Sequence, residues 1–209
     1  MKKADNRSPF GGTYEKIILG IDPGTNIMGY GLICINGKNA GFVHMDVLVM
    51  NKLPAHFLKL KRIFEQTLHI IDTYKPDEVA LEAPFFGKNV QSMLKLGRAQ
   101  GISMAAALHR NLPVFEYSPR KVKQSITGKG TASKEQVATM LHSILAINQS
   151  YKKLDATDAL AVAVCHHFQC NMALQAGKAS NKAKGGNKPV HNTWEAFVAA
   201  NKDRISTNL

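Results

Sequence analysis

The segment KIILGID at residues 16–22 decides the fold of this chain. Its unbroken run of apolar or small residues is typical of a strand that is buried on both faces. The run ends in the carboxylate of Asp22, and Pro23-Gly24-Thr25 then predicts a turn. Open α/β sheets place their sites beyond the ends of such strands, so Asp22 is the first candidate functional residue.

Outward from this strand, hydrophobic periodicity predicts an α/β domain. Asn36-Gly37 is a strong hairpin signal, and Ser133 with Gln136 forms a capping-box pattern ahead of a helix. Further strands are predicted over 28–35, 42–50, 78–82 and 113–117, and helices over 54–75, 89–110, 133–147 and 155–168. Hairpin-linked strands followed by alternating helices and strands predict a five-stranded mixed sheet flanked by helices, in the order that ribonuclease-H-like nucleases use.

The composition changes at both ends of the predicted domain. Residues 1–15 are predicted to be a flexible leader and residues 16–170 the ribonuclease-H-like domain. Residues 171–209 are rich in Lys, Gly, Asn and Ala, which predicts a basic, mostly disordered tail with a short helix near 194–201.

The charge balance favours a polyanionic partner. The chain has 27 Lys and Arg against 15 Asp and Glu, a formal net charge of +12, and nucleic acid is the first expectation for such an excess. No apolar run approaches the roughly 20 residues of a membrane span, so no membrane partner is predicted. The cysteines, Cys34, Cys165 and Cys170, lack C-x-x-C spacing and are interpreted as reduced thiols of a cytoplasmic protein.

Four acids occupy the places that one metal site would need. Asp22 and Glu82 both end apolar strands, and Asp155 and Asp158 are three residues apart at the start of a helix, where they share a face. Carboxylates that converge on one sheet edge repel each other unless cations lie between them. The pattern therefore predicts two Mg²⁺ ions, with Mn²⁺ able to substitute. Two ions about 4 Å apart activate a water and stabilise the leaving 3′ oxygen of a phosphodiester.

Each acid alone also has an ordinary interpretation. Asp22 before Pro-Gly suits a turn. Asp155 suits a helix N-cap, and Asp158 a favourable charge in the first helical turn. It is the joint placement of all four that favours the metal site.

Seven segments resemble, in register, segments of the RuvC crossover-junction endodeoxyribonucleases. They are ILGIDPGT at 18–25 with GYG at 29–31, EAPFFGKN at 82–89, LKLGRAQG at 94–101, PVFEY at 113–117, VKQ at 122–124, GKG at 128–130 and DATDALA at 155–161. The resemblance covers roughly residues 16–168. It implies a ribonuclease-H-like fold, and the family's four catalytic, metal-binding acids fall on Asp22, Glu82, Asp155 and Asp158.

The resemblance also implies a function. Such proteins are homodimers that bind a four-way DNA junction, make paired nicks that leave 5′-phosphate and 3′-hydroxyl ends, and work with RuvA and RuvB. Pro84 stiffens a loop that varies among relatives, and the tail after residue 170 is not needed by the family core.

Candidate DNA contacts surround the acids. The resemblance places a base-contacting aromatic on Phe85 or Phe86, with Phe85 favoured. The other candidates are Lys88, Asn89, Arg120, Lys121, Lys123 and Lys129, with Ser125, Thr127 and Lys134 as lesser ones. Lys88 and Asn89 open a helix whose N-terminus suits a phosphate, although ordinary solvated surface also explains such residues.

Other interpretations stay open. His166 and His167 are taken as packing or surface residues rather than as an acid or base. The small residues of helix 89–110 suit either a dimer interface or an internal contact. The rival functions are a related nuclease that acts on RNA or other branched DNA, a non-catalytic module for structured nucleic acid, and, from GIDPGT at 20–25, an actin-like ATPase, which would need a second domain.

Overall fold

The structure, a computed structural model, describes residues 3–4, 13–84, 89–147 and 154–182. The strands in these ranges are β1 (Lys3–Ala4), β2 (Thr13–Tyr14), β3 (Lys16–Asp22), β4 (Ile27–Asn36), β5 (Asn39–Val49), β6 (Glu78–Glu82) and β7 (Val114–Tyr117). The helices are α1 (His56–Tyr74), α2 (Val90–His109), α3 (Pro119–Thr127), α4 (Lys134–Ile144) and α5 (Leu154–Lys182).

The main sheet has five strands in the order β5-β4-β3-β6-β7. β3 pairs antiparallel with β4, and β4 with β5, whereas β6 runs parallel to both β3 and β7. This confirms the predicted mixed sheet. Ile21 is paired with Leu81, so the next residue on each strand, Asp22 and Glu82, lies at the same sheet edge.

Alternation along the strands divides the core between the two faces of the sheet. Ile18 and Ile33 pack with the buried residues of α3, α4 and α5. Leu19 and Leu32 belong to the opposite core layer, with α1 and α2. Helices cover both faces, which is why β3 and β4 contain almost no polar residue.

Glycines in β3 and β4 allow α5 to lie directly on the sheet. A side chain at Gly20 would overlap the backbone oxygen of Ala159, and one at Gly29 would overlap that of Asp155. A Cβ on Gly31 would come within 2.7 Å of the Cα of Leu160. This close approach fixes the start of α5 against the strands that carry the first acid.

Two structural features near the ends of the domain were not predicted from the sequence. Lys3–Ala4 pairs antiparallel with Thr13–Tyr14, so the predicted flexible leader includes strand pairing, and Tyr14 is buried at 5% exposure. The last helix ends at Lys182 rather than near residue 168, so the predicted mostly disordered tail begins as helix. Its alanines favour helix without needing a packed face. The predicted helix at 194–201 lies outside the described residues.

The helix α3 was not predicted. It begins with the Ser118 N-cap, whose side chain accepts a hydrogen bond from the Lys121 amide, and ends at Gly128, which has a φ of 77°. Only Val122 and Ile126 are buried in it, so its polar sequence carries too little apolar periodicity to identify a helix.

The chain separates into two compact units, Met1–Asn171 and Met172–Leu209. No helix among the described residues is both long and apolar enough to cross a membrane.

Candidate metal centre

Three of the four predicted acids lie together at one edge of the sheet. Asp22 ends β3, and Asp155 and Asp158 lie in the first turns of α5. Each offers a carboxylate oxygen, and these oxygens all lie within 4.8 Å of one another. Glu82, at the end of β6, lines a cavity of about 220 Å³ together with Asp22 and Asp158. Asp22 and Asp158 belong to both groups, so the four carboxylates gather at this edge of the sheet.

Burial and mutual repulsion raise the pKa values of three of these carboxylates. Burial raises the pKa of Asp22 to about 7, with a further contribution from the charge of Asp158. Burial also raises the pKa of Glu82 to about 8, and the charge of Asp22 adds to it. The pKa of Asp158 is raised as well, again mainly by burial. Without cations the acids resist being ionised together.

Lys134 supplies part of the positive charge at this site. It is the first residue of α4, after a capping box formed by Ser133 and Gln136. Its ammonium group pairs with Asp158 and lies 3.5 Å from Oδ1 of Asp155. Burial alone would lower the pKa of Lys134, but the hydrogen bond to Asp158 and the nearby carboxylates outweigh it and raise that pKa. From the sequence, Lys134 was only a lesser candidate for a DNA contact.

The donor atoms of the acid cluster fit a hard cation. All of them are carboxylate oxygens, which suit Mg²⁺, Mn²⁺ or Ca²⁺ rather than Zn²⁺ or copper. Asp22, Asp155 and Asp158 are close enough to share an ion, and Glu82 faces the same cavity. The residues present therefore fit a divalent metal.

The predicted DNA contacts fall into different surroundings. Lys123 lines the cavity with Glu82 and Asp158, whereas Arg120, Lys121 and Lys129 are exposed on α3 and the turn that follows it. The Oδ1 atom of Asn89 accepts a hydrogen bond from the Ser92 amide at 3.1 Å and caps α2. Phe85 and Lys88 lie outside the described residues, as does Phe86.

A second basic surface near the acids was missed from the sequence. A polar cavity of about 460 Å³ lies at the N-terminal turns of α1 and α2, and its lining includes Asn26, Lys59, Ser92 and Lys95. Nζ of Lys59 donates to Oδ1 of Asn26 at 2.8 Å. The two lysines come from different helices, so no local pattern in the sequence could have joined them.

The two histidines do not join the acids. His166 is fully buried, and its Nε2 lies 2.9 Å from Oε2 of Glu78. His167 is also buried, with its Nε2 3.0 Å from the backbone oxygen of Lys38. Their interpretation as packing residues, rather than as an acid or base beside the metal site, agrees with these contacts.

The mixed sheet and its cluster of acids define the class of this protein as a ribonuclease-H-like nuclease. The sequence model of one family in that class, described as crossover junction endodeoxyribonuclease RuvC, matches residues 18–166. The chain belongs to that RuvC family, which confirms the resemblance seen in its sequence. The family places it among the nucleases of DNA recombination and repair.

Similar proteins agree over most of the chain. A crossover junction endodeoxyribonuclease RuvC from Cytophaga hutchinsonii is 52% identical over 195 residues, covering 93% of this chain and 90% of the relative. One from Christiangramia forsetii is 54% identical over 191 residues, covering 91% and 93%. The solved structure of Thermus thermophilus RuvC in complex with Holliday junction substrate has a TM-score of 0.71 and 31% identity, covering 76% of this chain and 97% of that one.

Proposed function

We propose that this chain cuts Holliday junctions by metal-dependent hydrolysis of phosphodiester bonds, at the site formed by Asp22, Glu82, Asp155 and Asp158. The observation that carries the proposal is the gathering of these four acids at one sheet edge in a chain of the RuvC family. Basic residues surround that edge, so the negative charge of the acids does not keep DNA away.

The four acids would have different roles as metal ligands. Asp22, at the end of the central strand, would hold Mg²⁺, two ions per site, together with Glu82 and Asp158, with Mn²⁺ as a substitute. Asp155 would support the site. The ions would supply an activated water and stabilise the leaving 3′ oxygen, leaving 5′-phosphate and 3′-hydroxyl ends.

The lysines beside the acids would hold the scissile phosphate. Lys123 shares the acid-lined cavity, and the ammonium group of Lys134 reaches Asp158, so both cations would be near the charge that develops on the phosphate during cleavage. Arg120, Lys121 and Lys129 would contact the backbone further out, as would Lys59 and Lys95 across the second cavity. Each phosphate neutralised increases the salt dependence of binding.

The loop after Glu82 and the start of α2 complete the proposed contacts. By family resemblance, Phe85 would stack on a base near the crossover, a contact worth about 1–3 kcal/mol. Lys88 and Asn89 would bind a phosphate at the N-terminus of α2.

We further propose that the chain works as a homodimer through α2. Val90, Leu94 and Leu108 are 63%, 50% and 60% exposed, and the space outside Gly97 and Gly101 is open. These residues recur every three, four or seven positions, so they form one stripe that suits a partner helix. Other small residues of α2, among them Ala99, Ser103, Ala106 and Ala107, are buried within the chain. In this proposal, some small residues of α2 pack within the chain and others face the partner helix.

The dimer has its own test. Leu94→Glu places a charge in the stripe and should give a monomer by sedimentation, whereas Met140→Glu, an exposed apolar position on α4, should leave the wild-type dimer intact. A dimer that survives Leu94→Glu would exclude this interface.

We also propose RuvA and RuvB as partners and the cytoplasm as the location. Cys34, Cys165 and Cys170 all lie in described residues and form no disulfide, in keeping with a reducing compartment. Co-migration of the chain with RuvA and RuvB on junction DNA would test the partnership.

The experiment for the main proposal is cleavage of an end-labelled synthetic four-way junction, beside linear duplex and RNA–DNA hybrid, with Mg²⁺ or EDTA. We expect paired, symmetric nicks in the junction alone and only with metal. Preferential cutting of the hybrid would assign the site to an RNA-directed nuclease, and binding without cutting would reduce the chain to a recognition module.

A further inference from the structure

A second cluster of ligating side chains lies at the other end of β6, beside the middle of α5. Glu78 is the first residue of β6, and His166 and Cys170 lie one turn apart on α5. One ligand atom from each, a carboxylate oxygen, an imidazole nitrogen and a thiol sulfur, lies within 4.8 Å of the other two. Among the described residues, this group and the acid cluster are the ones close enough to share an ion.

The two clusters are separate. Along β6, Glu78 precedes Glu82 by four residues, about 13 Å at the rise of a strand. Along α5, His166 follows Asp158 by eight residues, about 12 Å at the rise of a helix. An ion at one cluster therefore cannot share ligands with an ion at the other.

The donor chemistry of the second cluster selects a different metal. A thiolate, an imidazole and a carboxylate together suit Zn²⁺, or Co²⁺ in its place, and do not suit Mg²⁺. His166 and Cys170 are separated by three residues, a spacing that places two ligands on one face of a helix, and Glu78 supplies the third from the neighbouring strand. We propose that Glu78, His166 and Cys170 form a zinc site with three protein ligands and water in the fourth position.

The neighbours of His166 already orient its ring for this role. The imidazole is fully buried, and its Nδ1 lies 2.7 Å from the hydroxyl of Tyr117. This contact leaves Nε2 facing Oε2 of Glu78 at 2.9 Å, and Sγ of Cys170 lies beside the ring, 3.7 Å from Nε2 and 3.9 Å from Nδ1. The ring of Phe115 packs against the imidazole, with a centroid separation of 4.3 Å. Ligating histidines in metal sites are held in this way through their second nitrogen.

The charges balance when the metal binds. Nζ of Lys16 lies 2.7 Å from Oε2 of Glu78 and provides the positive charge beside this carboxylate in the structure. On binding, the Cys170 thiol loses its proton to solvent, and the two negative ligands neutralise the divalent ion. The side chain of Lys16 is 28% exposed, so its ammonium group has access to solvent when it leaves the carboxylate.

The zinc site would fasten α5 to the start of β6. The first turns of the same helix carry Asp155 and Asp158, so the ion would hold the part of α5 that lies about two to four turns away from the acids. Because the ion binds the folded state, it should raise the melting temperature.

Cobalt titration of the full chain in excess Mg²⁺ tests the site. A thiolate bound to Co²⁺ gives a charge-transfer absorption band that carboxylate ligands cannot give. We expect one band-forming ion per chain, displaced by Zn²⁺, with a higher melting temperature in Zn²⁺ than in Mg²⁺ alone. The band should vanish in Cys170→Ser and weaken at least tenfold in apparent affinity in Glu78→Gln.

Matched variants make the result specific. Cys165→Ala removes the neighbouring buried thiol and should keep the band, and Asp22→Asn should keep it too, because the acid cluster is not involved. Circular dichroism confirms that each variant is folded. A folded wild-type chain without the band, or a Cys170→Ser variant that retains it, would overturn the proposal and leave the metal-dependent cleavage at Asp22 unaffected.

Discussion

The two ends of β6, each together with residues of α5, carry ionisable clusters of different composition. At the end where β6 stops and α5 starts, the ligands are all carboxylates, and Lys134 pairs with Asp158. At the opposite end, the ligands of Glu78, His166 and Cys170 are mixed, and Lys16 pairs with the carboxylate. Each cluster has a lysine paired with a carboxylate, so the lysine does not distinguish them. The other ligand atoms, carboxylate oxygens at one end and an imidazole and a thiol at the other, decide which metal each end suits.

The largest expected effect comes from removing one carboxylate of the acid end. Asp158→Asn should lower the single-turnover rate of junction cleavage by about 10²–10³-fold or more, as the loss of a preorganised electrostatic group does in other active sites. Junction binding in gel shifts should stay equal or become tighter, because a negative charge near DNA is lost. Cys170→Ser, at the opposite end, is the control and should cut at the wild-type rate. An equal loss of cleavage rate in both variants would show that the two ends do not differ in their role in cleavage.

The close approach of α5 to the sheet is the next difference between the two ends. Gly29→Ala would push a Cβ into the backbone oxygen of Asp155, and overpacking of this kind costs about 1–3 kcal/mol. We expect a lower free energy of unfolding in urea and slower cleavage, because Asp155 must move. An unchanged unfolding curve would show that α5 does not need the glycine.

Lys134 tests whether the cation of the acid end assists cleavage. Lys134→Met should slow cleavage by about 10–100-fold, the usual loss for a residue that supports metal ligands, and the slowing should persist at saturating Mg²⁺. Lys16→Met, its counterpart at the other end, should leave the cleavage rate unchanged. A Lys134→Met variant with full activity would limit that lysine to charge balance in the metal-free state.

The smallest effect is expected at the hydroxyl that holds His166. Tyr117→Phe removes the partner of Nδ1 and should reduce the free energy of unfolding by about 1 kcal/mol. It should also weaken the apparent Co²⁺ affinity while cleavage in Mg²⁺ stays unchanged. A change in cleavage with no change in Co²⁺ binding would contradict this prediction, because it would show that the hydroxyl acts on the acid cluster and not on His166.

Local patterns were enough to predict most of the fold. The apolar run before Asp22, the Asn36-Gly37 turn and the capping box at Ser133 each depend on neighbouring residues, and each forms as predicted, with Gly37 at a φ of 62°. The helix α3 was not predicted because its caps at Ser118 and Gly128 flank a mainly polar segment. The full length of α5 was not predicted because the sequence of its last turns has no apolar periodicity.

The sites were only partly predictable, because they depend on contacts between distant segments. The four acids were located because two strand ends and one helix start are visible in the sequence. No local pattern in the sequence predicts how the helices are placed relative to one another. That placement pairs Lys134 with Asp158 and brings Lys59 and Lys95 to one cavity. The same holds for Glu78 and His166, which are 88 residues apart.

The central claim is that the carboxylate end alone performs the chemistry. Its most direct test is single-turnover cleavage of a four-way junction in Mg²⁺ by Asp22→Asn and Glu78→Gln, with the EDTA-treated wild-type chain alongside. We expect that Asp22→Asn binds the junction but does not cut it, that Glu78→Gln cuts like wild type, and that EDTA abolishes cleavage. Cutting by Asp22→Asn at near the wild-type rate would contradict it.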